Sequence, residues 1–181
     1  MLLIEIPKTE YYDEEKNEFM YVPETTLKLE HSLISISKWE SHYCKPFLSR
    51  EQKTVEESLY YIKCMTINPN IDPNVYRCIT NEMMDRVNKY IEAPMTATTI
   101  NDPASSKKNN EILTSELLYY YMIAGNVPVE FERWHLNRLI TLIQIIGIKN
   151  DPKQKKMTKG SILRQNASLN AARRKAMHSR G

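Results

Sequence analysis

The stretch Thr25–Trp39 reads TTLKLEHSLISISKW, and it decides the fold class because a strand pattern meets a helix pattern within it. In its first half, leucines alternate with polar residues. Alternation with a period of two predicts a strand that buries one face. The second half allows two interpretations, since the strand could continue or a helix could begin. The helical alternative arises because Ile36, Trp39 and Glu40 also fit a helical period.

Two further short strands are predicted before this stretch. Leu2–Ile6 and Phe19–Val22 are both rich in apolar residues, and each ends at a proline, which is confined to the ends and edges of strands. The acidic turn Asp13–Glu18 could join these two strands. Residues 1–48 are therefore predicted to form a β-rich element.

From Ser49 onward the pattern is typical of helices. Ser49–Gln52 and Thr54–Glu57 both match the capping box, in which two side chains satisfy the free backbone N–H groups at a helix start. Asp72-Pro73 predicts a further helix start, because Asp is a favoured N-cap and proline suits the first helical position. The apolar stripe expected after the second box consists of Val55, Leu59, Ile62 and Met65.

Two more helices are predicted over Glu111–Ala124 and Glu130–Ile146, and the polar segment 96–110 is predicted to be an exposed loop. Residues 49–150 would thus form a helical domain. Residues 151–181 are predicted to be a basic C-terminal arm, partly helical. The predicted fold class is α+β and mostly helical, with a small N-terminal β element, a four- to five-helix bundle and the basic arm.

The net charge of +3 is divided unevenly along the chain. Residues 149–181 hold ten lysines and arginines against one acid, a net charge of +9, so the remaining residues carry −6. An acidic protein, the chain's own acidic body or nucleic acid could bind such an arm. Nucleic acid is the less favoured partner, because no aromatic residue is interleaved there for base stacking. The candidate arm residues are Lys155, Lys156, Arg164, Arg173, Arg174 and Lys175.

The cysteine pattern and the hydropathy pattern predict a soluble protein. Cys44, Cys64 and Cys78 form no CxxC pair, which is expected of reduced thiols in the cytosol. The first residues lack the basic region and the long apolar core of a signal peptide. The longest apolar run, Leu139–Ile148, is far shorter than the roughly 20 residues that a bilayer requires. We therefore expect no membrane partner.

The sequence carries no recognisable catalytic or metal-binding motif. None of the four histidines lies in HExxH, and the nucleophile-elbow and phosphate-loop patterns do not occur. His42 and Cys44 are one residue apart, a pattern more typical of a strand end or helix start than of a metal site. We therefore expect no enzymatic activity, no cofactor, no metal and no small-molecule substrate.

Two groups of residues are candidates for binding a protein partner. Tyr119, Tyr120 and Tyr121 are consecutive, so they cannot all face one core, and at least one is expected at the surface. Trp134 and Arg138 are four residues apart and share a helical face, a combination common in interface hot spots. The alternative for both groups is ordinary packing, with two tyrosines turned inward and the tryptophan in the core.

Several phrases of the sequence together resemble tail assembly chaperones of long-tailed bacteriophages, or closely associated tail-module proteins. The phrases are LEHSLISISKWE (Leu29–Glu40), YIKCMT (Tyr61–Thr66), KYIEAPMTATT (Lys89–Thr99), ELLYYYMIAGNVPVEFERWHLNRLITLI (Glu116–Ile143) and LNAARRKAM (Leu169–Met177). The resemblance implies a protein that binds the long, helical, apolar tape measure protein, keeps it soluble and releases it as the tail tube polymerises around it.

This resemblance places the expected activity in the cytoplasm of the host cell, with the tape measure protein or another tail protein as partner and with self-association also compatible. The expected binding surface is the helical hairpin Glu116–Ile143. Two alternatives stay open. A structural virion protein, such as a connector or tail component, would dock through its basic arm and remain in the particle. A nucleic-acid-binding accessory protein would use the same charges on phosphates.

Overall fold

The computed structural model of the chain describes residues 1–13, 17–100 and 112–150, together with residues 163, 164, 167, 168 and 170. The fold is α+β and mostly helical, as the sequence predicts. The chain divides into two compact units, Met1–Ile145 and Ile146–Gly181. All four strands lie in the first unit, which also holds the candidate surfaces described below.

Strands β1 (Leu2–Ile6) and β4 (Thr25–Leu29) pair antiparallel, with Ile4 opposite Leu27. Every second side chain of the pair points into the core, while the residues between them face outward. This arrangement confirms the predicted strand with one buried face in the first half of TTLKLEHSLISISKW. The fully buried residues of this pair are Ile4, Ile6, Leu27 and Leu29.

Strands β2 (Thr9–Asp13) and β3 (Glu18–Val22) form a separate two-stranded antiparallel ribbon. The acidic turn therefore lies between β2 and β3, and β1 pairs with β4, which corrects the predicted hairpin of Leu2–Ile6 with Phe19–Val22. Burial explains the difference, because the inward isoleucines of β1 meet the inward leucines of β4. Strand β2 was not predicted, since TEYYD does not alternate apolar with polar residues.

Helix α1 (Leu33–Tyr43) begins inside the segment predicted to be β-rich. Its start is a capping box made by two serines. The hydroxyl of Ser32 accepts the N–H of Ser35 at 3.3 Å, and the hydroxyl of Ser35 accepts the N–H of Ser32 at 2.9 Å. The helical alternative for the second half of TTLKLEHSLISISKW is therefore correct, and the helical part begins at residue 33 rather than 49.

Helix α2 (Val55–Met65) begins at the second of the two predicted capping boxes. The hydroxyl of Thr54 accepts the N–H of Glu57 at 3.1 Å, and the carboxylate of Glu57 accepts the N–H of Thr54 at 2.9 Å. The first box, Ser49–Gln52, begins no helix, which corrects that prediction. The segment before it turns at Phe47, which is buried and donates its N–H to the carboxylate of Glu40 at 2.8 Å.

Residues 73–92 form two helices, where the sequence predicted one. Asp72 caps a 3-10 helix (Pro73–Cys78), and Thr80 caps helix α3 (Asn81–Glu92). The predicted N-cap role of Asp72 is confirmed, but the first helix ends after two turns. Its continuation stops because the hydroxyl of Thr80 accepts the N–H of Met83 and begins a new helix.

Helices α4 (Ser115–Ala124) and α5 (Leu136–Asn150) are separated by a second 3-10 helix (Val129–Arg133). The predicted single helix over Glu130–Ile146 is thus wrong. It is interrupted at His135, which is buried and forms a β-bridge with Ser32 at the start of α1. Of the helices that the structure describes, none is long and apolar enough to cross a membrane.

Two sequence predictions fall largely outside the described residues. Of the predicted loop 96–110, the structure describes residues 96–100, which are neither helix nor strand. Of the basic arm, it describes residues 163, 164, 167, 168 and 170, all helical and exposed. The second compact unit is therefore described only at these positions and at the end of α5.

Candidate functional site

Helix α4 turns one side to the core and the other to solvent. Leu118 and Met122, four residues apart, are buried on the inner side. The helix begins at Thr114, whose hydroxyl accepts the N–H of Leu117, and ends at Gly125, whose N–H is donated to the carbonyl of Tyr121. Because these caps and the buried pair fix the rotation of the helix, they also fix which residues face outward.

The outer side of α4 carries the exposed Glu116 in the first turn and is apolar from Tyr120 to the end of the helix. Tyr120 and Ile123 are 62% and 77% exposed, and Ala124 beside them is exposed as well. These positions are three and four residues apart, so they lie on one side of the helix. We call Tyr120, Ile123 and Ala124 the α4 face. Side chains of this kind on the solvent side of a helix are typical of a surface that binds another protein.

The three consecutive tyrosines have different environments. Tyr119 is half-buried, and its hydroxyl donates to the carboxylate of Glu132 at 2.8 Å, which ties α4 to the second 3-10 helix. Burial, with the acceptor Glu132 and its charge, raises the pKa of Tyr119 to about 12. Tyr120 is exposed and touches the half-buried Tyr121, with ring centroids 5.6 Å apart. The prediction that at least one of the three lies at the surface is confirmed.

Trp134 and Arg138 are brought together, but not on one helix. Trp134 lies between the second 3-10 helix and α5, and the guanidinium carbon of Arg138 is 4.0 Å from its ring centroid. The ring of Phe131 stacks on the same indole at 3.9 Å between centroids. Two planar groups so close to one ring must cover its opposite faces. Trp134 therefore packs mainly against its own chain and is half-buried.

Two exposed apolar residues in this region were not among the predicted site residues. Ile123 belongs to the α4 face, and Val129, at the start of the second 3-10 helix, is also exposed. A helical projection that places Leu118 and Met122 inward puts Ile123 on the opposite side, so the sequence does contain the pattern that identifies it.

A second exposed aromatic surface lies on the ribbon of β2 and β3. Tyr12 and Phe19 face each other across the two strands, with ring centroids 5.2 Å apart, and Tyr21 lies two residues beyond Phe19 on the same side. They are 47%, 77% and 51% exposed. We call these three residues the ribbon face. The ribbon face was not predicted, because strand β2 itself was not predicted.

A group of titratable side chains is buried in the core. The Nδ1 atom of His31 is 2.5 Å from the hydroxyl of Tyr61, and the ring of His135 lies 5.1 Å from that of His31. His135 binds the carbonyl of Tyr90 through Nε2 at 3.0 Å and accepts the N–H of Asn137 at Nδ1, so its proton is on Nε2. These contacts join the start of α1 to α2, α3 and α5, which is a structural role.

Burial determines the protonation of this histidine pair. Burial first, and the neighbouring His135 second, together lower the pKa of His31 from 6.5 to about 3. Burial also lowers the pKa of His135, against the opposing effect of its bond to the Tyr90 carbonyl. Both imidazoles are therefore neutral at neutral pH.

A cleft of about 470 Å³ lies between α1 and α2. Burial raises the pKa of the Cys64 thiol to about 11, so this sulfur stays protonated and is a poor nucleophile. Within the part of the chain that the structure describes, no three His, Cys, Asp or Glu side chains are placed to hold a metal ion. The lining residues of the cleft are Ser37, Lys38, Ser41, Tyr60, Lys63 and Cys64.

His42 and Cys44, the two residues considered above as a metal site, make other contacts in the structure. The imidazole of His42 stacks on Tyr60 with ring centroids 4.1 Å apart, near the end of α1. Cys44 is the exposed residue that ends this helix, in the left-handed conformation with φ of 53°. The pair therefore lies at the end of a helix, and not at the strand end or helix start that the sequence predicted as the alternative to a metal site.

The basic arm contributes one described residue to the candidate set. Arg164 is helical and exposed. The remaining candidates lie outside the described residues; they are Lys155, Lys156, Arg173, Arg174 and Lys175. Comparison of the chain with known protein families, with curated proteins and with solved structures gives no match. Its function is therefore argued from its own surfaces.

Proposed function

We propose that this chain assists the assembly of a bacteriophage tail by binding the tape measure protein, without catalysing a reaction. The observation that supports this function most directly is the α4 face, where Tyr120 and Ile123 hold apolar side chains in solvent. A binding protein for an apolar client needs such a surface on a folded scaffold. The resemblance of Glu116–Ile143 to tail assembly chaperones points to the same part of the chain.

The chemistry of the α4 face suits an amphipathic helical client. Its side chains project from one side of a helix at spacings of three and four residues. They form a ridge that can pack into a groove on a second helix. Burying a side chain such as Ile123 contributes about 1.5–3 kcal/mol. Tyrosine is enriched in interface hot spots, because it buries much area with few rotatable bonds. Tyr120 and Ile123 together can therefore supply most of a moderate affinity.

The test is a double variant, Tyr120→Ser with Ile123→Ser, studied as the full chain with its tape measure protein. Since both side chains are exposed, the variant should keep the wild-type thermal midpoint. Its dissociation constant for the client should rise at least about tenfold. In co-expression, the client should shift from the soluble to the insoluble fraction.

The matched control is Tyr119→Phe. It changes the adjacent tyrosine, removes the hydroxyl that binds Glu132 and leaves the α4 face intact. Client binding by this control should equal that of the wild type. If the double variant binds the client as tightly as the wild type, the α4 face is not the binding surface and the proposal fails at this point.

A second measurement separates a transient assembly factor from a permanent part of the virion. The chain should be abundant in infected-cell lysate and missing from purified particles, because a chaperone leaves its client when the tail tube forms. A fixed copy number in purified particles would contradict the chaperone proposal. It would favour the structural virion protein that docks through its basic arm.

A further inference from the structure

The two faces of the β2–β3 ribbon differ in a way that antiparallel sheets rarely show. Val22 is buried on one face, and Met20 is half-buried on the same face. The other face holds Tyr12, Phe19 and Tyr21, all exposed. An antiparallel sheet with one solvent side usually presents polar residues there. Three exposed aromatic rings in a row instead mark a surface that another molecule covers.

The ribbon is also acidic. Residues 9–22 hold five carboxylates against one lysine, a net charge of −4. Glu10 lies opposite Tyr21 on the ribbon face, whereas Glu18 is next to Phe19 along β3 and therefore points to the other face; both glutamates are exposed. A partner that covers the ribbon face therefore meets three aromatic rings and the Glu10 carboxylate, within an acidic ribbon. That combination favours a segment rich in lysine and arginine, which can stack on rings and pair with carboxylates.

One contact within the chain shows how such a partner is held. The ammonium nitrogen of Lys8 lies 5.1 Å from the ring centroid of Tyr21. A cation at this distance from a tyrosine face is attracted by the ring. The ribbon face thus already holds one cation on one ring, while the rings of Tyr12 and Phe19 are open to others.

We propose that the ribbon face binds the basic arm of a second copy of this chain. Residues 149–181 carry a net charge of +9, the opposite of the ribbon, and include the cluster Arg173-Arg174-Lys175. An exchange in which each copy gives its arm to the other's ribbon forms a closed, two-fold symmetric dimer with two equivalent contacts. This inference does not depend on the proposed function, since it involves a different surface and a different partner.

Opposite charges on the arm and the ribbon attract each other at long range. At short range, the arm's lysine and arginine side chains stack on the aromatic rings. Because exposed charges are screened over about 8–10 Å at physiological salt, the dimer should weaken as salt is added. The aromatic part should persist longer, so association should fall but not vanish at moderate salt. Salt dependence by itself does not identify the two surfaces, and variants are needed for that.

The experiment compares full-length chains by analytical ultracentrifugation. The ribbon variant is Tyr12→Ser with Phe19→Ser, and the arm variant replaces Arg173, Arg174 and Lys175 by Gln. Each variant alone should have a dimer dissociation constant at least about tenfold above that of the wild type. An equimolar mixture should regain association as a one-to-one pair, because each variant supplies the surface that the other lacks. That pair should be weaker than the wild-type dimer, since it has one contact instead of two.

Two controls keep the result interpretable. The double variant Glu10→Gln with Glu18→Gln retains the aromatic rings and removes two negative charges from the ribbon. It should also weaken the dimer if the ribbon variant lowers dimer affinity through lost binding and not through unfolding. Val55→Ser changes an equally exposed apolar residue on α2 and should leave the dimer unchanged. A wild-type chain that remains monomeric at low salt and high concentration would overturn the proposal. So would a dimer that persists in both variants, or a mixture that fails to associate.

Discussion

The carboxylate of Glu40 in α1 accepts the backbone N–H of Ser115, the first residue of α4, at 2.7 Å. The two residues are 75 positions apart in the chain. The other carboxylate oxygen of Glu40 accepts the N–H of Phe47 at 2.8 Å, so this buried charge is satisfied by two backbone donors. A negative charge at a helix start is also favoured by the helix dipole. Glu40 therefore helps to hold the start of α4, together with the caps and the buried pair that fix the rotation of this helix.

The first prediction concerns Glu40→Gln. The amide keeps one acceptor oxygen but presents an NH₂ group where the second acceptor was, so the N–H of either Ser115 or Phe47 loses its partner. A buried donor left without a partner costs about 1–3 kcal/mol. We expect the free energy of unfolding of Glu40→Gln, measured in urea, to be lower than that of the wild type by this amount. The free energy of unfolding of Glu40→Ala should be lower still.

The control for this prediction is Glu56→Gln, which makes the same chemical change at an exposed carboxylate in the first turn of α2. It should leave stability within a few tenths of a kcal/mol of the wild type. Hydrogen exchange at the Ser115 amide or the Phe47 amide should accelerate in Glu40→Gln only. Equal stability of the two variants would mean that Glu40 does not hold α4.

The second prediction is a loss of stability in mild acid that arises from His31. The folded protein holds this imidazole neutral down to about pH 3, whereas the unfolded chain protonates it below its ordinary pKa of 6.5. Acid therefore favours the unfolded chain. The contribution is fully present above about pH 6.5 and decreases as the pH falls towards 3, by about 2 kcal/mol between about pH 6.5 and 5. His135, whose pKa is also lowered by burial, changes stability in the same direction.

The measurement for His31 is urea unfolding at a series of pH values, with His31→Asn as the control. The Asn side chain can place a polar atom where Nδ1 meets the Tyr61 hydroxyl, but it does not titrate. The variant should be less stable at neutral pH and should lose less stability between about pH 6.5 and 5. An unchanged slope in His31→Asn would show that the acid sensitivity has another source.

Much of the fold follows from local sequence, and the parts that do not follow depend on tertiary contacts. The capping box at Thr54 and the alternation in β4 are local, and both were predicted. The pairing of β1 with β4 joins residues 19 to 27 positions apart, so an acidic turn close by suggested the wrong partner. The break before α5 was missed for the same reason, because the bridge of His135 with Ser32 overrides a helical pattern.

The exposed surfaces likewise depend partly on local sequence and partly on tertiary contacts. Consecutive tyrosines required one to be exposed, and the sequence alone was sufficient for that. The sequence alone could not identify which tyrosine is exposed. The rotation of α4 depends on its buried side and on the hydrogen bond that the Ser115 N–H donates to Glu40. Ile123 was overlooked because an isoleucine in an apolar helix is ordinarily inward. The ribbon face could not be found without knowing that β2 pairs with β3.

The third prediction concerns Asn68, whose side chain continues the sheet beside β4. Its amide nitrogen donates to the carbonyl of Thr26 at 3.1 Å, and its oxygen accepts the N–H of Lys28 at 2.6 Å. Asn68→Asp keeps the acceptor but sets a carboxylate oxygen against the Thr26 carbonyl. Losing that hydrogen bond should lower the free energy of unfolding by about 1 kcal/mol. Asn70→Asp is the matched control, since its left-handed backbone tolerates aspartate; if both variants lose equal stability, the role assigned to Asn68 is wrong.

The last prediction concerns the indole of Trp134, which Arg138 covers on one face and Phe131 on the other. Arg138→Ala should uncover one face and increase acrylamide quenching of tryptophan fluorescence. Trp39 is almost fully buried, so any rise in the accessible fraction reports Trp134. Removing the stacked cation should also cost about 0.5–1 kcal/mol of stability.

The control for Arg138→Ala is Arg133→Ala, which removes an exposed arginine from the neighbouring 3-10 helix. Quenching in this control should match that of the wild type. If Arg138→Ala and Arg133→Ala give the same quenching curve, the guanidinium does not cover the indole in solution. Trp134 would then present a whole face to a partner, and the binding surface would extend from the α4 face to the start of α5.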